Sequence, residues 1–158
     1  MMEIITGADT KILRTVCQKV TSFDDELKNT AKEMVETMLG DQEGNVTGIG
    51  LAANQVGINK RIIIVTFNLE SRKNQKIVTM VNPEIIETSQ QTVSMEEGCL
   101  SLPETFGNVT RPKKVKAKWQ NLEGNWCEKK LDGWDARVFL HELDHLNGKL
   151  FIDYLEKN

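Results

Sequence analysis

Residues Gly133 to Gly148 read GWDARVFLHELDHLNG, and the surroundings of this stretch decide the fold. It predicts a helix running to about Asn147, with Gly148 as its stop. Far upstream, Ser22 with Asp25 three residues on resembles a capping box, and Asp24, Asp25 and Glu26 load a first turn with negative charge. Leu27, Ala31, Met34, Val35, Met38 and Leu39 then recur at helical spacing until Gly40, which predicts an N-terminal amphipathic helix with its methionines in the core. Between the two helices the pattern changes. Arg61–Phe67 (RIIIVTF) is rich in β-branched residues and reads as a buried strand. Lys76–Val81 is a second strand, closed by Asn82-Pro83, and Glu84–Val93 is strand-rich. Val115–Asn121 and Asn125–Leu131 flank Glu123-Gly124, the turn of a hairpin. A helix, a series of short strands and a second helix give the α+β class. Short antiparallel or mixed sheets should pack around the central, histidine-bearing helix. Asp41–Thr47 reads as a polar loop, and with no repeat or linker in sight residues 1–158 are expected to form a single domain.

Composition narrows the function. Of 158 residues, 39% are hydrophobic and 27% charged, which excludes a disordered or fibrous chain. The net charge of −3 gives no electrostatic case for nucleic acid. Arg111, Lys113, Lys114, Lys116 and Lys118 form one basic stretch. Its lysines alternate with Val115 and Ala117, so it reads as the solvated face of a strand. The start MMEIITGADTK has no apolar core of signal-peptide length, and no run approaches the roughly 18 apolar residues of a membrane span. The expected location is the cytoplasm, with an organellar or phage-encoded origin left open. Cys17, Cys99 and Cys127 are odd in number and irregularly spaced, which argues for a reducing compartment and against a disulfide framework.

The helix itself carries the chemistry. His141 and His145 are the only histidines, and residues four apart share one helix face. Both imidazoles can therefore reach one ion, and Glu142 stands where a carboxylate can take a proton from water, the logic of H-E-x-x-H hydrolases. Random placement would produce this pattern in about one chain in a thousand. Hydrolytic metals take three protein ligands and leave one position for water. In HELDHLNGKLF, Gly148 matches a longer zinc-peptidase pattern, but Phe151 stands where its third histidine belongs. The third ligand must then be Cys, Asp or Glu. Cys99 in MEEGCLSLP is a good candidate, since a metal deprotonates a thiol. Cys17 and Cys127 read as buried thiols. Gly48–Gly57 reads GIGLAANQVG, a stretch of small residues that either lets backbone approach a ligand or forms a close-packed turn, with Gln55 as its polar donor.

GIGLAANQ, EGCLS and HELDH, in this order and spacing, resemble the three signature motifs of peptide deformylases. The resemblance extends from DTKILRTVCQKV through the first helix to NGKLFIDYL. It implies one divalent ion per chain, Fe²⁺ first and Zn²⁺, Ni²⁺ or Co²⁺ next, on Cys99, His141 and His145. It implies removal of the N-formyl group from the initiator methionine of nascent peptides, with release of formate. Glu142 would move the proton, and Gln55 with the backbone N–H of Leu100 would hold the formyl oxygen. Ile49, Gly50 and Glu97 would bind the substrate, with Ile49 and Val138 in the wall of a methionine pocket. The resemblance further implies a monomer that works near the ribosome, without direct nucleic-acid binding and off the membrane. Some positions depart from the pattern: Leu140 replaces a usual glutamine, Asn54 stands at a position that is often proline, and no C-terminal helix follows Tyr154. The rival reading is a zinc peptidase of the H-E-x-x-H type, which would share His141, Glu142 and His145 but would need neither Cys99 nor Gln55.

Overall fold

The computed structural model describes residues 2–40, 48–71 and 73–155; the loop expected at Asp41–Thr47 lies outside them. Among the described residues there are two helices, α1 (Asp25–Leu39) and α2 (Trp134–Leu146), and seven strands: β1 (Gly50–Ala52), β2 (Ile62–Phe67), β3 (Lys76–Thr88), β4 (Thr92–Cys99), β5 (Leu102–Pro112), β6 (Lys114–Gln120) and β7 (Trp126–Asp132). Three 3-10 turns, at Lys11–Arg14, Ala53–Val56 and Phe151–Tyr154, fill the connections. Among the described residues, no helix is long and apolar enough to cross a membrane.

Every ladder between these strands is antiparallel. One sheet has the order β1-β2-β3-β6-β7, and β4 pairs with β5 alone. The apolar run of β2 is explained by its place between two layers. Ile63, Val65 and Phe67 face the core built with Phe139, Leu143 and Leu146 of α2. Ile62 and Ile64 face the core built with Leu27, Met34 and Met38 of α1. A strand covered on both faces has no need of a polar alternate, so its sequence reads as continuous Ile and Val.

Two local expectations are corrected. The cap of α1 is Asp24, whose carboxylate accepts from the Leu27 N–H at 3.0 Å, and not a box built on Ser22. The helix begins at Asp25, so Asp24 is the residue whose side chain meets the free N–H at the third helical position, and Ser22 lies two residues too early to do so. The strand at Lys76 does not stop at Asn82-Pro83 but continues to Thr88. The register slips between Val81 and Glu84, Asn82 takes a positive φ of 50°, and its side chain bonds Val20 N, Val20 O and Gln120. The missing proline donor falls in a bulge, where no ladder bond is required. The basic stretch also divides. Lys114, Lys116 and Lys118 stand on the outer face of β6, while Arg111 of β5 is buried.

The end of α2 is fixed by close packing. Gly148 has φ of 74°, and a Cβ there would lie 2.5 Å from the carbonyl oxygen of Arg14. Only glycine permits both the left-handed turn and that approach. The Arg61 guanidinium donates to the Leu146 carbonyl at 3.1 Å and to Asn147 Oδ1 at 2.9 Å, which covers further groups of the last turn.

Candidate metal centre

Two elements converge on one point. β4 ends at Cys99, and α2 presents His141 and His145 one turn apart. Ligand atoms of the three residues all lie within 4.8 Å of one another. Cys99 Sγ is 3.3 Å from His145 Nε2. A tetrahedral ion with bonds of about 2.0–2.3 Å needs donors separated by little more than 3 Å, so a thiolate and two imidazoles at these separations fit one divalent ion. Among the described residues these are the side chains that could form such a group.

The surroundings prepare the ligands unequally. His141 Nδ1 lies 2.8 Å from Glu97 Oε1, which leaves its Nε2 free to face the cluster. Glu97 in turn accepts from Arg111 Nε at 2.6 Å and Nη2 at 3.0 Å, and from Arg137 Nη1 at 2.6 Å. Arg111 continues to Asp144 at 2.7 Å, one residue before His145. Burial works against ionised Glu97, but hydrogen bonds from His141 and Arg111 outweigh it and hold the carboxyl far below the usual range. Burial also opposes a charged His141, yet its bonds to Cys99 and Glu97 and the nearby Glu142 raise it to about 10. His145 is driven the other way, first by burial and then by the positive charge of His141 and Arg111, which favours its neutral form.

Glu142 is 4% exposed, and burial pushes its carboxyl up to about 7. Its Oε1 has no hydrogen-bond partner among the described residues. Its Oε2 rests against Gly50, where a Cβ would come within 2.5 Å of it. A glycine at the start of β1 is therefore a requirement of this carboxylate's position. Gln55, in the turn after β1, is oriented by its own Oε1 accepting from Ala52 N at 2.8 Å. Its Nε2 points to Ser101 Oγ at 3.1 Å and Cys99 Sγ at 3.5 Å.

A cleft of about 640 Å³ opens beside this cluster, bordered by Gln55, Cys99, His141 and Glu142. Ile49 and Leu100 form apolar wall, with Phe106 and Trp134 on the same cleft. Ile49, Gly50, Gln55, Leu100, Cys99, His141, Glu142 and Glu97 of the expected site thus share one cleft, and His145 lies directly behind it. Val138 does not join them. Its side chain is packed in the core that α2 shares with the large sheet, so Trp134 and Arg137 line the cleft in its place. Glu97 borders the cleft, but both its oxygens are taken by the arginines and His141, so it orients a ligand and has little left for substrate. Arg111, Asp144, Ser101 and Asn54 were not among the expected residues. Arg137 sits four before His141 and Asp144 three after it, so helical spacing could have placed both beside that ligand. Nothing local marks Arg111.

Comparison with known proteins agrees with this geometry. The family model described as Polypeptide deformylase matches residues 1–158. The peptide deformylase of Thermotoga neapolitana is 44% identical over 145 residues, covering 92% of this chain and 82% of that protein. The crystal structure of peptide deformylase from Thermotoga maritima superposes with a TM-score of 0.89 at 42% identity, covering 99% of each chain. A probable peptide deformylase from Synechococcus phage S-SSM7 superposes with a TM-score of 0.87 at 41% identity, covering 98% of this chain and 100% of that one.

Proposed function

The chain belongs to the polypeptide deformylase family, metal-dependent hydrolases that remove the N-formyl group from nascent polypeptides, and we propose the role of each residue in that reaction. The observation that carries the assignment is the meeting of Cys99, His141 and His145 with Glu142 and Gln55 at one cleft. Cys99, His141 and His145 hold the ion, and α2 is the metal-binding helix about which the two sheets and the amphipathic α1 are arranged. When bound, a divalent ion lowers the pKa of a water and polarises a carbonyl. By family resemblance the resident ion is Fe²⁺; the thiolate and imidazole donors also suit Zn²⁺, Ni²⁺ and Co²⁺.

Glu142 accepts a proton from the attacking water. Its pKa near 7 suits a group that must take the proton and then release it. The water oxygen bonds to the formyl carbon, and charge moves to the formyl oxygen. Gln55 Nε2 and the backbone N–H of Leu100 donate to that oxygen; donors held in place before reaction stabilise it without reorganising. The carbon–nitrogen bond then breaks, Glu142 passes its proton to the leaving amine, and formate departs. Ile49 and Gly50 bind the substrate backbone as an extended strand beside β1. Ile49 and Leu100 enclose the methionine side chain, and Glu97 orients His141. The catalytic unit is one domain, monomeric, working in the cytoplasm where formylated peptides emerge and reading no nucleic acid.

The test is formate release from a formyl-Met-Ala-Ser peptide by protein purified without oxygen. Release that a chelator abolishes supports the reading; hydrolysis of the unformylated peptide instead would favour the peptidase alternative. Glu142→Ala should retain metal and lose nearly all turnover. Cys99→Ala should lose metal by elemental analysis, whereas Cys17→Ser and Cys127→Ser should keep it.

A further inference from the structure

Asn54 stands directly before Gln55 in the 3-10 turn Ala53–Val56 and is fully buried. Its side chain points away from the reacting centre and reaches the far end of α2. Asn54 Nδ2 donates to the backbone carbonyl of His145 at 2.5 Å and lies 3.5 Å from the Ile12 carbonyl. The His145 carbonyl belongs to the last turn of the helix, where backbone acceptors have no intrahelical donor, and the Gly148 N–H reaches the same oxygen at 3.0 Å. Two neighbouring residues of one short turn are thus engaged with opposite sides of the site. Gln55 faces Cys99, and Asn54 grips the backbone of His145.

A second observation falls on the same two residues. Three buried side-chain atoms are without a hydrogen-bond partner among the described residues: Glu142 Oε1, Asn54 Oδ1 and His145 Nδ1. The first is accounted for by the reaction. The other two are an acceptor and, once Nε2 faces the ion, a donor. They sit on two residues already joined by the Nδ2 bond, but neither atom bonds the other, so the contact between the side chain of Asn54 and His145 is the amide–carbonyl bond alone.

We propose that Asn54 is a positioning residue: its amide locks the helix end at His145 to the turn that carries Gln55, fixing His145 relative to the oxyanion donor. The proposal rests on the ligand assignment of Cys99, His141 and His145 given above. Removing the amide frees the last turn of α2 to shift against Gln55. Displacements of about 1 Å at such centres cost on the order of a hundredfold in rate.

The experiment loads the full chain with Co²⁺ alone and compares wild type, Asn54→Ala and Asn54→Asp. Asp24→Ala, which weakens the cap of α1, serves as a control for general loss of stability. The visible cobalt spectrum and the rate of Co²⁺ release to a chelator are read, followed by kcat and KM. Both Asn54 variants should show an altered spectrum and release at least about tenfold faster, with the loss in kcat exceeding any rise in KM. Asp24→Ala should match wild type in spectrum and release. Asn54 variants with the wild-type spectrum and release rate would overturn the proposal. Wild type that binds no Co²⁺, or a spectrum unchanged by Cys99→Ala, would overturn the ligand assignment itself. Should neither Asn54 variant fold, the wild-type side-chain amide decides. Its ¹⁵N-resolved protons should resist exchange and shift when Zn²⁺ is added; rapidly exchanging protons indifferent to Zn²⁺ would refute the clamp.

Discussion

At the scale of single residues, the site depends on contacts too short to tolerate an added atom. Gly50 is the sharpest case. A Cβ there would lie 2.5 Å from Glu142 Oε2 and 2.9 Å from Glu142 Cδ, so alanine must displace the carboxylate or move β1. Gly50→Ala should therefore keep its metal, measured by elemental analysis, and lose about a hundredfold in kcat/KM for formate release. Near-wild-type turnover would mean that the carboxylate can act from elsewhere. The histidine pair was legible because helical spacing is local: His141 and His145 had to share a face. The partners of Glu97 were not, because they lie 14 and 40 residues away at Arg111 and Arg137, and His141 44 residues away. Val138 was misplaced for a related reason. Spacing puts it near the histidine face, but only the packing of the large sheet shows which side of the helix is core.

At the scale of elements, the sequence fared best where one physical signal acted alone. β2 and the β6–β7 hairpin followed from β-branched runs and a glycine turn, and β7 returns from Gly124 with φ of 88°. β1 was not visible as a strand, since three residues, Gly50–Ala52, are too few to show a period. β3 ran past its proline because a bulge, invisible in the pattern, absorbs the missing donor. The cap of α1 offers an element-scale prediction. Asp24→Ala leaves the Leu27 N–H without its side-chain acceptor and should cost about 1 kcal/mol in urea unfolding. Formate release per folded molecule should not change, because this end of α1 touches no part of the cleft. A loss in kcat without a loss in stability would contradict that separation.

At the scale of the molecule, the small sheet and α2 are joined by charge. Glu97 of β4 binds Arg111 of β5 and Arg137 and His141 of α2, and Arg111 reaches on to Asp144 of α2. Exposed pairs such as Lys116–Glu128 at 3.9 Å contribute little by comparison, since water screens them. Glu97, Arg111 and Arg137 are buried and Glu97 pairs with both arginines, so removing one partner strands the others. Glu97→Gln leaves Arg137 with only carbonyl acceptors and should cost about 3–5 kcal/mol at pH 7. The pH dependence has a definite sign. The folded carboxyl of Glu97 titrates far below its unfolded value of about 4.3, so its contribution is complete above that pH and declines as pH falls towards the folded value. With metal removed by chelator from both proteins, urea unfolding should show a wide gap between wild type and Glu97→Gln at pH 6. That gap should narrow steadily below about pH 4.3. A gap that stayed constant down to pH 3 would show that the network holds by shape and packing, with the ionised carboxylate adding nothing.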